Sequence, residues 1–228
     1  IYHASSMTAH ANNNMSINTN GGNRWWSLRV SNDTWIQGNA YFSSDKRIKE
    51  NIIDISDNIS LQQLRDISCV SYYYKDKLIR GSNKTYGFIA QQVRTVIPGA
   101  VSMSTTIIPN EMRSVLDYSC VEVLCDENDN IVENKIYDES GNDITKNKYK
   151  LKINNLSDNS GNSLYRFYVS NDVSGNDECR KEIRSLIDEP KSFIFDNSWN
   201  NIFLYGKEVD DFNVLDKHKL YAVNFSAT

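Results

Sequence analysis

Between residues 110 and 205 the chain repeats one pattern. A short run alternating apolar and polar residues is followed by a cluster of Asn, Asp, Gly and Ser. The runs fall at 119–124, 149–153, 164–169, 193–195 and 202–205, and the clusters at 126–130, 140–143, 157–162 and 171–177. A period of two puts alternate side chains on opposite faces, so one face can be buried and the other wetted. Asn, Asp and Gly supply the tight turns that such strands need. This stretch therefore predicts a mostly β subdomain, a small barrel or a sandwich.

The flanks read differently. Residues 1–23 are polar and rich in Ser and Asn, too poor in apolar groups to fold alone. They read as a lead-in, or as strands borrowed from a multi-chain stalk. Short strands are expected at 24–30, 34–36 and 40–42, separated by turn signals. Such strands make a poor isolated sheet and a better one when three chains wrap together. A short amphipathic helix is expected from Ser60, as N-cap, to Ile67. A strand with three successive Tyr follows at 69–75, then a polar loop at 76–84 and a short strand at 86–90. A helix at 91–97 puts Ala90, Val93 and Ile97 on one face and ends at Pro98-Gly99. A strand resumes from Ala100 to Met103. At 209–228 the spacing of Val214, His218, Tyr221, Phe225 and Thr228 predicts a C-terminal helix with a wide, coiled-coil-like apolar face. A single helix packed on its own domain fits the same period. The fold class is thus α+β. The chain begins at Ile1 without Met and stops at Thr228 without a helix stop signal, and is expected to be a piece of a longer protein.

Composition narrows the partners. The net charge is −4 and no long Lys/Arg block occurs, so neither nucleic acid nor an anionic membrane is an expected partner. No apolar run approaches the ~20 residues of a membrane span. Aromatics are 11% of the chain, with 13 Tyr, and supply much of the area available for burial. Cys69, Cys120, Cys125 and Cys179 show no CxxC spacing, and His3, His10 and His218 lie far from them. No metal and no cofactor are expected, and the thiols read as scattered and buried, in keeping with folding in a reducing compartment.

The chemistry-bearing stretch runs from Ser43 to Ile52. A serine hydroxyl such as that of Ser44 is a poor nucleophile until a base takes its proton. A lysine can be that base only when neutral, which burial or nearby positive charge favours. Lys46 and Arg47 are the nearby charges, and Lys49 is the candidate amine. One turn of helix, or a bend, would bring Ser44 and Lys49 together. Asp45 reads as a cap or a lysine partner, and Arg47 as an ion-pair anchor. On residue types alone, a Ser and a Lys at this spacing are usually just two surface residues.

The pattern Ser-Asp-x-Arg-x-Lys-x-x-Ile at 44–52 resembles the start of the intramolecular chaperone, auto-processing family. That domain ends phage endosialidase tailspikes and some long tail fibres, and occurs within the myelin regulatory factor. A second block, Tyr86 to Val93 followed by Ile97 to Val101, is similar to the family's next motif. The approach to the C-terminal helix, from Val209 to Leu220, is similar again. The resemblance implies a homotrimer that assembles an upstream passenger of the same chain and then cuts between Ser43 and Ser44, with Ser44 as nucleophile and Lys49 as base. It implies four parts: the passenger's end at 1–43, a chaperone and auto-protease core at 44–109, an inserted β-rich subdomain at 110–205, and a return to the chaperone with its trimerisation helix at 206–228. The alternative is a trimeric fibre tip without chemistry, binding a receptor or glycan. The Asn-, Ile-, Lys- and Tyr-rich composition and the insertion point to a large DNA virus, with folding in the host cytoplasm and a virion-associated passenger.

Overall fold

The computed structural model describes residues 19–21, 24–26, 37 and 43–228, apart from 157 and 159. The chain divides into two compact units, Ile1–Ile55 and Ser56–Thr228. In the first, β1 (Thr19–Gly21) and β2 (Arg24–Trp26) pair antiparallel, with Asn20 opposite Trp25. A 3-10 turn follows at Lys46–Ile48. The strands expected at 34–36 and 40–42 lie outside the described residues.

The second unit is mixed α+β. It opens with α1 (Asp57–Asp66), β3 (Val70–Tyr72), α2 (Lys77–Arg80), β4 (Thr85–Gly87) and α3 (Ala90–Val96). A 3-10 turn at Pro98–Ala100 leads into β5 (Val101–Ile107). Strands then dominate: β6 (Arg113–Ser114), β7 (Tyr118–Cys125), β8 (Ile131–Val132), β9 (Lys146–Ile153), β10 (Leu164–Ser170), β11 (Cys179–Arg184), β12 (Ser192–Phe195) and β13 (Asn201–Leu215). Helix α4 (Lys217–Ala227) closes the chain.

Two sheets make a sandwich, one of the two forms that the alternation allows. One runs in the order β11-β10-β13-β5, with β6 also on β13, and the other runs β12-β9-β7-β8. Their inner faces share one core: Leu151 and Ile153 from β9, Phe193 and Phe195 from β12, Tyr165, Phe167 and Val169 from β10, and Ile202 and Leu204 from β13. Phe167 meets Phe193 edge to face at 5.0 Å and Phe195 at 5.3 Å. Burying each such ring contributes about 1.5–3 kcal/mol, and each edge-to-face pair about 0.5–1.5 kcal/mol more. The turns work as the sequence implies. Asp126 accepts hydrogen bonds from the backbone N–H of Asn128 and Asn130, and Asp138 from those of Ser140 and Asn142.

Strand β13 serves β10 and β6 along its first half and β5 along its second. Its first half pairs with β10, Phe203 opposite Tyr168, and its second half pairs with β5, Leu215 opposite Val101. This corrects the helix expected from residue 209. Val209, Phe212 and Val214 are strand residues, because β5 offers them a ladder. The helix starts only at Lys217, where the Asp216 carboxylate accepts from the His218 N–H. Three further expectations change. Helix α1 begins at Asp57, so Ser60 is no cap; it is fully buried, its hydroxyl 3.1 Å from that of Ser226 on α4. The polar loop at 76–84 contains α2, capped by the buried Asp76 carboxylate, which accepts from the Ile79 N–H. Of the four free cysteines only Cys125 is buried, and burial pushes its thiol pKa up.

Phe193→Ala is expected to lower the unfolding free energy by about 3–5 kcal/mol, since it empties the centre of the sandwich. Tyr86→Ala, at a side chain 73% exposed, is expected to change it by no more than about 0.5 kcal/mol in the monomeric chain. Urea titration followed by circular dichroism separates the two.

Candidate functional site

The stretch singled out by the sequence is organised by one turn. Asp45 stands before the 3-10 turn in an extended conformation, and its carboxylate accepts from the Arg47 N–H at 2.8 Å. The Arg47 side chain folds back onto the same carboxylate, Nη2 to Oδ2 at 2.6 Å and Nε to Oδ1 at 3.1 Å. One carboxylate thus satisfies a backbone donor of the turn and a guanidinium fork. The turn closes through Ile48 N–H to the Asp45 carbonyl and Lys49 N–H to the Lys46 carbonyl, at 3.3 and 3.1 Å. The Lys49 Nζ lies 2.6 Å from the Ser44 Oγ.

That distance is within the range for proton transfer between a hydroxyl and a base. As an ammonium Lys49 donates to Ser44, and as an amine it accepts the Ser44 proton along the same line. Ser43, Ser44 and Lys49 are all exposed. Asp45 and Arg47 touch neither hydroxyl nor amine through any hydrogen bond given by the structure; they hold the turn. Arg47 is 89% exposed along its side chain, so the pair with Asp45 is a surface ion pair whose role is geometric. The hydrogen bonds from Arg47 hold the Asp45 pKa below its ordinary value, and the same contact raises that of Arg47.

Sequence reasoning passed over what surrounds the turn. Ile48, Ile52, Ile53 and Ile55 are all exposed, Ile53 at 83%. These four exposed isoleucines between positions 48 and 55 were visible in the sequence only as an apolar stretch. Asn51 adopts a positive φ of 51°, a left-handed conformation that Asn tolerates better than most residues, and redirects the chain after Glu50. Among the described residues no group of three or more His, Cys, Asp or Glu could hold a metal ion.

Residues 44–102 match a peptidase family described as the chaperone of endosialidase. The match begins at Ser44 and ends inside β5, so β6 to β13 and α4 lie outside it. The chain is also 24% identical over 219 residues to the uncharacterized protein VP1 of Micromonas pusilla reovirus, covering 81% of this chain and 11% of that protein. It therefore spans about a tenth of the length of the curated relative it matches. Among the described residues no helix is long and apolar enough to cross a membrane.

The cap has a definite pH dependence. A carboxylate with a depressed pKa contributes its full effect above the ordinary value and loses it as the pH falls through the depressed one. In the full-length chain, the Arg47 Nε–H resonance is expected to titrate with a midpoint below 3.8, the ordinary Asp value. Asp45→Asn should abolish that inflection.

Proposed function

We propose that this chain is an intramolecular chaperone that associates as a homotrimer, assists assembly of the segment upstream of Ser44, and then cuts itself between Ser43 and Ser44. The 2.6 Å contact of Lys49 Nζ with Ser44 Oγ, at the first residue of the family match, carries the reading.

The chemistry follows from position. Ser44 Oγ reaches the carbonyl carbon of Ser43 through a five-membered ring. As the C–O bond forms, the hydroxyl proton passes to neutral Lys49. The tetrahedral centre collapses by breaking the Ser43–Ser44 C–N bond, and the Lys49 ammonium returns the proton to the departing amine. The acyl group is then an ester on Ser44. Water adds to it, the ester C–O bond breaks, Ser43 leaves as a carboxylate and the Ser44 hydroxyl is restored. Backbone N–H groups are the natural donors to the transient oxyanion. Asp45 and Arg47 act by positioning the turn.

The step requires a neutral amine, and Lys49 stands in water in the single chain. Association supplies the missing desolvation. Burying the isoleucines around the turn would place the pair in a low-dielectric wall, which disfavours the ammonium. The wider surface supports association. Leu78 is 88% exposed and Phe225 86% exposed, with Ile59, Tyr73 and Tyr221 also uncovered. A monomer rarely leaves so much apolar surface in water, and a closed ring of identical chains is the usual way to cover it. Cutting after assembly makes reversal difficult, so the released upstream segment is held kinetically. The viral relative is in keeping with a passenger carried on a virion and folded in the host cytoplasm.

Intact-mass measurement tests the reading. Wild-type protein is expected to yield a fragment beginning at Ser44, and Ser44→Ala none. Lys49→Ala is expected to slow the cut at least about a hundredfold, the scale of a lost general base. Lys49→Arg should be equally slow, because a guanidinium stays charged. A wild-type chain that assembles and stays whole contradicts the proposed chemistry.

A further inference from the structure

Strands β5 and β13 form an antiparallel hairpin with an unusual connection. Ile107 lies opposite Glu208 and Val101 opposite Leu215, so residues 108–207, which carry β6 to β12 and the first half of β13, occupy the place of the hairpin's turn. A flexible connection of that length would oppose closure entropically. Here it is folded, and its two ends are bound to each other. The Ile108 N–H donates to the Lys207 carbonyl at 3.0 Å, the Lys207 N–H to Asn110 Oδ1 at 3.0 Å, and the Met112 N–H to the Tyr205 carbonyl at 3.1 Å. The approach is so close at Gly206 that a Cβ there would collide with the Ile108 carbonyl and Asn110.

The two sides of this junction differ in what they bury. All eleven members of the core cluster lie between Val115 and Leu204. Among the described residues outside the sandwich and β13, only Val93, Ala100 and Val223 are buried hydrophobics. The flanking elements therefore have little core with which to hold β5 against β13. They are tied instead to the junction. Tyr205 is buried, and burial together with the influence of the Asp76 carboxylate that caps α2 pushes the phenol pKa up to about 12. The Asp216 N–H donates to the Ala100 carbonyl at 2.8 Å where β13 passes into α4. Helix α4 then presents Val223 and Ser226 to the region of α1, where Ser60 is buried.

We infer that the sandwich is the folding scaffold of the segment on either side of it: its formation closes the β5–β13 hairpin, and β13 then sets the position of α4. The sandwich thereby has a function within the single chain, ahead of any association. This does not depend on cleavage and is read without it.

Hydrogen exchange of the full uncleaved chain, followed by mass spectrometry under rising urea, decides the matter. Amides at 101–107 and 208–215 are expected to lose protection at the same urea concentration as those at 164–170 and 192–195. Ile202→Val, a mild change inside the sandwich core, should lower protection in both sets by the same factor, about fivefold. Val93→Ala, on the α3 side, should leave 164–170 unchanged. Protection at 208–215 that outlasts loss of protection at 164–170 would overturn the inference, as would an Ile202→Val effect confined to the sandwich.

Discussion

The contact between Lys49 and Ser44 depends on a single 3-10 turn, and that turn depends on one carboxylate. Asp45 accepts from the Arg47 backbone and side chain together, which curls the chain enough to set an amine 2.6 Å from a hydroxyl five residues earlier. Nothing in this device needs a deep pocket. It is local, cheap to form and open to solvent. Geometry is therefore in place in the single chain, while the desolvation that makes a lysine a base is not. On the proposed reading the two are separated on purpose: the first is written into ten residues, and the second comes from partners.

The same division runs through the second unit. The sandwich keeps its core aromatic residues inside, Phe167 and Phe193 fully buried. The segment before it leaves Tyr73, Tyr74, Tyr86 and Phe88 in water. Local sequence suffices for the first, since paired inner faces of two sheets bury a core without help. It does not suffice for the second. A hairpin of three-residue strands, β3 with β4, and helices of four to ten residues cannot cover one another. Strand β13 joins the two regimes, being core strand at Ile202 and Leu204 and edge partner of β5 from Glu208 onward.

Much of this was legible in the sequence. Alternation marked β7, β9, β10 and β12, and it is plainest in β10, which buries Tyr165, Phe167 and Val169. Strand β11 escaped notice because Lys181 interrupts its inner face between Cys179 and Ile183, an inward charge of the kind that guards a sheet edge. The C-terminal helix was placed too early, because a 4-3-4-3 spacing at Val214 and His218 is local and the ladder to β5 is not. The bend between Ser44 and Lys49 was foreseen as a need, but its type was not, since it follows from Arg47 folding back onto Asp45. The exposure of the isoleucines at 48–55 could not be read at all. Period and composition report apolarity, never whether a neighbour covers it.

The most direct measurement is the rate of cleavage against protein concentration, by intact mass with size-exclusion chromatography of the same samples. If association arms the Ser44–Lys49 pair, the fragment beginning at Ser44 appears only where trimers form, and dilution to monomer stops the reaction. A dilute monomer that cuts as fast as the assembled protein would contradict the account.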